Sequence, residues 1–230
     1  MIKISDLFLK KKIPEISHLD LTIENGESFV MLSSGDKAVN HLDNIFSGLE
    51  QEFKGTVEID HINILSNPGT YLDNIAFLSS DNQWPDDIKT KSIISFFKKR
   101  MNIPANEYEE LYIKLDLEHI GKKRICDLEE VVWRKILFAL TALKKSRNYI
   151  IHDFAKGMPL DFTLEFKRNL HRLKKEGCSI LYFSDDVFFA PEIGDRIGFM
   201  KKGKLLLELS AEKMKRMSLQ ELYFQFLAEQ

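Results

Sequence analysis

Ser28-Phe29-Val30-Met31-Leu32 is an apolar run of strand length, and just beyond it Ala38, Leu42, Ile45 and Phe46 recur at helical spacing. A buried strand feeding an amphipathic helix through a short link is the unit of an α/β fold. The link, Ser33-Ser34-Gly35-Asp36-Lys37, stands where a phosphate-binding loop would sit. Such a loop needs glycines to bring backbone N–H groups against phosphates, a lysine to neutralise them and a hydroxyl to ligate magnesium. Gly35 is the one glycine in this stretch. Asp36 places a carboxylate near the helix N-terminus, where it caps the helix. At about 4 Å it would repel a phosphate charge by about 1 to 4 kcal/mol. Lys37 is the substitute cation if the loop holds phosphate at all.

A chain of 230 residues is long enough for one α/β domain with a small appended subdomain. Thirty-three basic against thirty-five acidic residues leave a net charge of -2, which gives no electrostatic footprint for nucleic acid. Apolar runs such as Ile180-Leu181-Tyr182-Phe183 fall far short of the roughly 20 residues that cross a bilayer, and the N-terminal residues lack a signal-peptide hydrophobic region. A cytoplasmic location is expected. Cys126 and Cys178 lack His or Cys neighbours at ligand spacing, so they are read as two reduced thiols.

Leu19-Asp20-Leu21-Thr22-Ile23 alternates as a half-buried strand and turns at Asn25-Gly26, giving an antiparallel β start. Strand-like segments follow from Thr56 to Ile64 and from Ile75 to Leu78, separated by a turn-rich Ser66-Asn67-Pro68-Gly69. Residues 88–143 read as a helical subdomain inserted in the α/β core, with Ile93, Ile94, Phe97 and Met101 at three and four, and Ile136, Leu137, Leu140 and Leu143 later. Strands at Tyr149-Ile150-Ile151 and Ile180-Leu181-Tyr182-Phe183 flank a helix carrying Phe162, Phe166 and Leu170. A hairpin turns at Lys202-Gly203, and Ser218 with Glu221 forms a capping box.

Phe46-Ser47-Gly48-Leu49, Gly55 to Ile59, Tyr149 to Asp153, and Asp195-Arg196 to Gly203 stand in the order and spacing of the ATP-binding subunits of ABC transporters. The chain resembles that family over nearly its whole length, as a degenerate member most like the subunits of small bacterial exporters. The resemblance implies a single domain over 1–230: an ABC-type, P-loop NTPase-like α/β core with an N-terminal antiparallel part and the helical subdomain. It also assigns positions, and most of them are replaced. Val39 stands at the loop lysine, Asn40 and His41 at the hydroxyl pair, and Ser80 or a displaced Gln83 at the magnesium-touching glutamine. Glu129-Glu130-Val131-Val132-Trp133 replaces the signature, Phe154 the catalytic glutamate and Asp185 the switch histidine. Phenylalanine has no acceptor for a proton, and an ionised carboxylate cannot donate to a phosphate.

The expectation is therefore a non-catalytic pseudo-ATPase, with no catalytic residues, that serves as a structural or regulatory partner. Its partners would be a membrane permease and a second ATP-binding subunit, or a second copy in a homodimer, with no nucleic acid. That places it peripherally on the inner face of the membrane. Gly35, Lys37 and Asp153 form the vestigial nucleotide site, and Asp153 is also the magnesium candidate. Trp84 and Phe97 are the candidates for permease docking, and their aromatic rings serve equally well as core. No cofactor is expected. ATP and magnesium enter only under the alternative, a weakly hydrolysing subunit with an unconventional site.

Overall fold

The computed structural model describes residues 1–10, 14–35, 37–80, 87–101, 103–114, 117–214 and 216–228. Two sheets form around the run that opens the sequence. The first contains β1 (Ile2–Lys10), β2 (Pro14–Ile23), β4 (Lys54–Ile59) and β5 (Ile62–Asn63), all antiparallel in the order β2-β1-β4-β5. The second runs β10-β9-β3-β8-β7-β6. Its members are β3 (Ser28–Ser33), β6 (Ile75–Ser79), β7 (Asn148–His152), β8 (Ser179–Ser184), β9 (Arg196–Lys201) and β10 (Lys204–Ser210). All of them are parallel except β10, which closes the edge as the expected hairpin.

β3 is buried along its whole length because both faces of its sheet are covered. The period-two alternation of a strand sends Phe29 and Met31 into one hydrophobic cluster and Val30 and Leu32 into another. The first cluster lies against the antiparallel sheet and α1 (Lys37–Phe46), whose Ala38, Val39, Leu42, Ile45 and Phe46 form its buried face. The second is covered by helices, chiefly α6 and α7 defined below. Gly55 is required by contact: at a φ of 90°, a Cβ would meet the Asp6 carbonyl oxygen at 2.3 Å, where β4 crosses β1.

The turn expected at Ser66 to Gly69 is instead the start of a helix, α2 (Pro68–Asp73). Pro68 presets the first helical residue, and the Asn67 side chain accepts from the Thr70 backbone N–H at 3.4 Å. Between β6 and β7 lie α3 (Thr90–Arg100), α4 (Ala105–Lys114), α5 (Leu117–Ile120), a 3-10 turn at Ile125–Asp127, and α6 (Glu130–Leu143). α7 (Leu160–Lys175) connects β7 to β8, with Phe162, Phe166, Leu170 and Leu173 inward. Four short helical segments complete the chain: α8 (Ala190–Ile193), α9 (Ala211–Met214), α10 (Leu219–Tyr223) and a π-helical turn at Phe224–Ala228. Ser218 caps α10 by accepting from Glu221 N–H at 3.3 Å, as its sequence pattern indicates.

Candidate functional site

Because β3, β8 and β7 are parallel neighbours, their carboxyl ends emerge side by side, the place where open α/β sheets form crevices. A cavity of about 180 Å³ opens there. Gly35, Val39 and Asn40 line it from the β3–α1 side, Asp153 and Lys156 from the turn after β7, and Ser184 and Asp185 from the end of β8. Gly35 has a φ of 62° and Asp153 a φ of 45°, so the chain turns through the left-handed region on both sides.

The charges in the cavity satisfy one another. Lys156 Nζ lies 2.6 Å from Asp185 Oδ2 and 3.7 Å from Asp153 Oδ2, while Ser184 Oγ donates to Asp153 Oδ1 at 2.8 Å. Burial pushes the Asp153 carboxyl above its ordinary range and Asp185 adds to the rise, against the opposing pull of the Ser184 hydrogen bond and of Lys156. The hydrogen bond to Asp185 holds the Lys156 ammonium above the ordinary lysine value. One ammonium between two carboxylates leaves a net negative lining, which repels phosphate. Val39 adds an apolar isopropyl group to the lining. Lys37 is exposed at the first residue of α1 and does not line the cavity.

His152 also lines the cavity, and its Nδ1 meets Asp43 Oδ2, joining β7 to α1. The His152 ring lies edge-on to Phe183, and its carbonyl accepts from Ser80 N–H at 3.0 Å. Phe154 is fully buried and packs against Phe166 and Phe162 with ring centroids 5.4 Å and 6.1 Å apart, so it belongs to the core. Arg134, on α6, is also buried. Its Nη1 donates to the carbonyls of Phe154 at 2.6 Å and Lys156 at 3.1 Å, and its Nη2 pairs with Glu130. The turn that carries Lys156 is thereby tied to the helical segment. Glu129 stands at the N-cap of α6 and Glu130 in its first turn, where acidic residues complement the helix dipole.

Of the nucleotide-site residues expected from the sequence, Gly35 and Asp153 line this cavity, together with Asp185 at the expected switch position, and Lys37 does not; Lys156, Arg134, His152 and Asp43 are not singled out by the sequence. Of the docking candidates, Phe97 is half-buried against the helical side of the core, and its neighbour Phe96 is 63% exposed. Asp36, Gln83 and Trp84 lie outside the described residues. Among the described residues, no helix is long and apolar enough to cross a membrane, and no group of three or more His, Cys, Asp or Glu residues could hold a metal ion. Cys126 and Cys178 are both free thiols.

A strand–loop–helix unit at the carboxyl ends of a parallel sheet, faced by a second antiparallel sheet, defines an α/β architecture of the P-loop NTPase type. No family model matches the chain. The chain is 28% identical over 96% of its length to the ribose import ATP-binding protein RbsA of Lactococcus lactis, and spans 46% of that protein. It is 21% identical over 91% of its length to the bacitracin transport ATP-binding protein BcrA of Bacillus licheniformis, and spans 69% of it. Among solved structures, an ATP-binding subunit of an ABC transporter superimposes with a TM-score of 0.87 at 16% identity, covering 98% of this chain and 99% of that one. The Clostridium perfringens cbiO1, part of the ABC transporter complex cbiONQ, gives 0.75 at 17% identity over 99% and 95%. A dimeric ATP-binding cassette in a post-hydrolysis state, bound to ADP and Pi, gives 0.77 at 16% identity over 92% and 99%. The fold is that of an ABC transporter nucleotide-binding domain, as the resemblance in the sequence implies.

Proposed function

We propose that this chain is a non-catalytic, ABC-type subunit that keeps the nucleotide-binding-domain fold in order to dock a partner. The partner would be a membrane permease, a second ATP-binding subunit or a second copy, with the chain held peripherally on the cytoplasmic face. One observation carries the reading: the Lys156 ammonium stands between Asp153 and Asp185 in the cavity where a nucleotide's outer phosphates would lie. The residues present do not fit a magnesium–triphosphate group. Its phosphates would meet two carboxylates and the Val39 side chain, and the residue after Asp153 is a core phenylalanine with no proton acceptor. The relatives' names and structures support the docking half of the reading, since the similar solved structures include a member of a transporter complex and a dimer.

A second reading, weak nucleotide binding in an unconventional geometry, is favoured by Asp153 and by the left-handed Gly35 lining the same cavity. Thermal unfolding of the chain with and without millimolar magnesium-ATP separates the two. The expected result is no shift. Binding at about 100 times the dissociation constant would add about 2.7 kcal/mol, or several degrees for a chain of this size. Such a shift, abolished in Asp153→Ala, would replace the first reading with the second.

A further inference from the structure

At the start of α3 two segments are sewn together. Thr90 N and Oγ1 both reach the Lys123 carbonyl, at 2.9 Å and 3.0 Å, while Lys91 N donates to Gly121 at 3.1 Å and Ile125 N to Ile88 at 3.0 Å. Thr90, Gly121 and Ile125 are buried under this seam, which fixes its backbone. The outward-facing residues are Lys89, Lys91, Lys122, Lys123 and Arg124, all exposed, and neither seam segment, 88–92 or 120–125, contains an acid. Arg124 is held by Asp127 at 3.0 Å. No ion pair reaches the four lysines among the described residues. Elsewhere, Lys145, Lys156, Lys167, Lys174 and Arg196 are each paired with a carboxylate.

This arrangement is unfavourable in the isolated chain. Lys89 and Arg124 are partners in an antiparallel bridge, and like charges directly opposite one another destabilise a strand pair. Lys89 is the N-cap of α3 and Lys91 lies in its first turn, which contains no acid to complement the positive end of the helix dipole; the preceding described acid is the exposed Asp87. An anionic partner laid on the seam relieves all of these repulsions together. Screening over about 8–10 Å confines the attraction of these lysines to a ligand that lies on the seam itself, a segment of a few residues.

We infer that the seam of Lys89, Lys91, Lys122 and Lys123 is a docking surface for a short acidic segment of a partner protein. This deepens the docking half of the proposed function by giving the partner's chemistry, and it is independent of whether nucleotide binds. The test is fluorescence anisotropy of a labelled oligoglutamate peptide against the whole chain, with no nucleotide present. Binding should weaken about tenfold in the K89Q/K91Q/K122Q/K123Q variant, weaken with added salt, and stay unchanged in K202Q/K204Q on the β9–β10 hairpin. The seam variant should melt at or above the wild-type temperature, since repulsion is removed. Equal peptide binding by the wild type and the seam variant overturns the inference, and so does a fall in melting temperature. Tighter binding of phosphatidylserine vesicles or a single-stranded oligonucleotide through the same lysines also overturns it.

Discussion

Arg196 and Lys156 are both cations held by two carboxylates, at opposite ends of the same parallel sheet. At the amino end, Arg196 Nη1 bonds to Glu27 at 2.7 Å and to the Thr22 carbonyl at 2.9 Å, and Nε bonds to Glu208 at 2.9 Å. Its guanidinium lies over the Phe29 ring, 5.2 Å from the centroid. This one side chain thus links β2, the start of β3, β9 and β10. At the carboxyl end, the Lys156 ammonium pairs with Asp153 and Asp185, on turns that β7 and β8 already position. The lysine side chain is 54% exposed, against 26% for Arg196. The same chemical unit is a cross-link at one end and a charge balance at the other. What separates them is how many otherwise independent elements each joins. Substitutions at the Lys156 end should therefore leave the fold intact, whereas those at the Arg196 end should not.

The largest expected effect tests the cross-link. Arg196→Met keeps the apolar stem but removes every donor, leaving Glu27 and Glu208 without their partner. It should cost about 2–4 kcal/mol, measured by urea unfolding. A cost below about 1 kcal/mol would put Arg196 in the same class as an exposed ion pair and break the comparison.

Next comes the ring beneath Arg196. A Cβ on Gly198 would stand 2.6 Å from Phe29 Cζ and 2.7 Å from Leu205 Cδ1, with φ outside the left-handed region, so the cost of a methyl is purely one of space. Gly198→Ala should destabilise by about 1–3 kcal/mol through overpacking. Combined with Arg196→Met, the loss should be less than additive, because both substitutions act through Phe29. Strict additivity would mean that the cation–ring contact contributes nothing to the cross-link.

The elements of this amino end were legible because they obey local rules. Alternation marks β2, apolar runs of strand length mark β3, β7 and β8, and Lys202-Gly203 marks the β9–β10 turn. α2 was not legible, since six residues give no helical period and its formation rests on the Asn67 cap and Pro68. At the cavity, Gly35, Asp153 and Asp185 could be placed through the resemblance to ABC ATP-binding subunits, which assigns each a position along the chain. Lys156 could not, because its pairing with Asp185, 29 residues away, requires β7 and β8 to be parallel neighbours and a long side chain to reach across. Arg134 was hidden for the same reason: its partners are backbone carbonyls 19 to 22 residues further along, and carbonyls leave no mark in a sequence. Lys37 had the right sequence neighbourhood, but α1 begins with it facing solvent.

The smallest effect is the most diagnostic of charge balance. Lys156→Met should change stability by less than about 1 kcal/mol at neutral pH, because its shorter ion pair, to Asp185, is well exposed to solvent on both sides. Its pH dependence has a definite sign. The Lys156 pKa is raised above 10.5, so its contribution is complete below that value and is lost as pH rises through the raised one. The Asp153 pKa is raised above 3.8, so ionising that carboxyl disfavours the folded state as pH rises through its raised value, and Lys156 offsets part of that cost. The difference in melting temperature between wild type and Lys156→Met should therefore be largest across the neutral range. It should shrink at acid pH, where the Asp153 carboxyl takes up its proton, and again at strongly alkaline pH, where the ammonium is lost. A difference that stays flat with pH would show that the Lys156 stem matters by packing, and the two ends of the sheet would then differ in degree only.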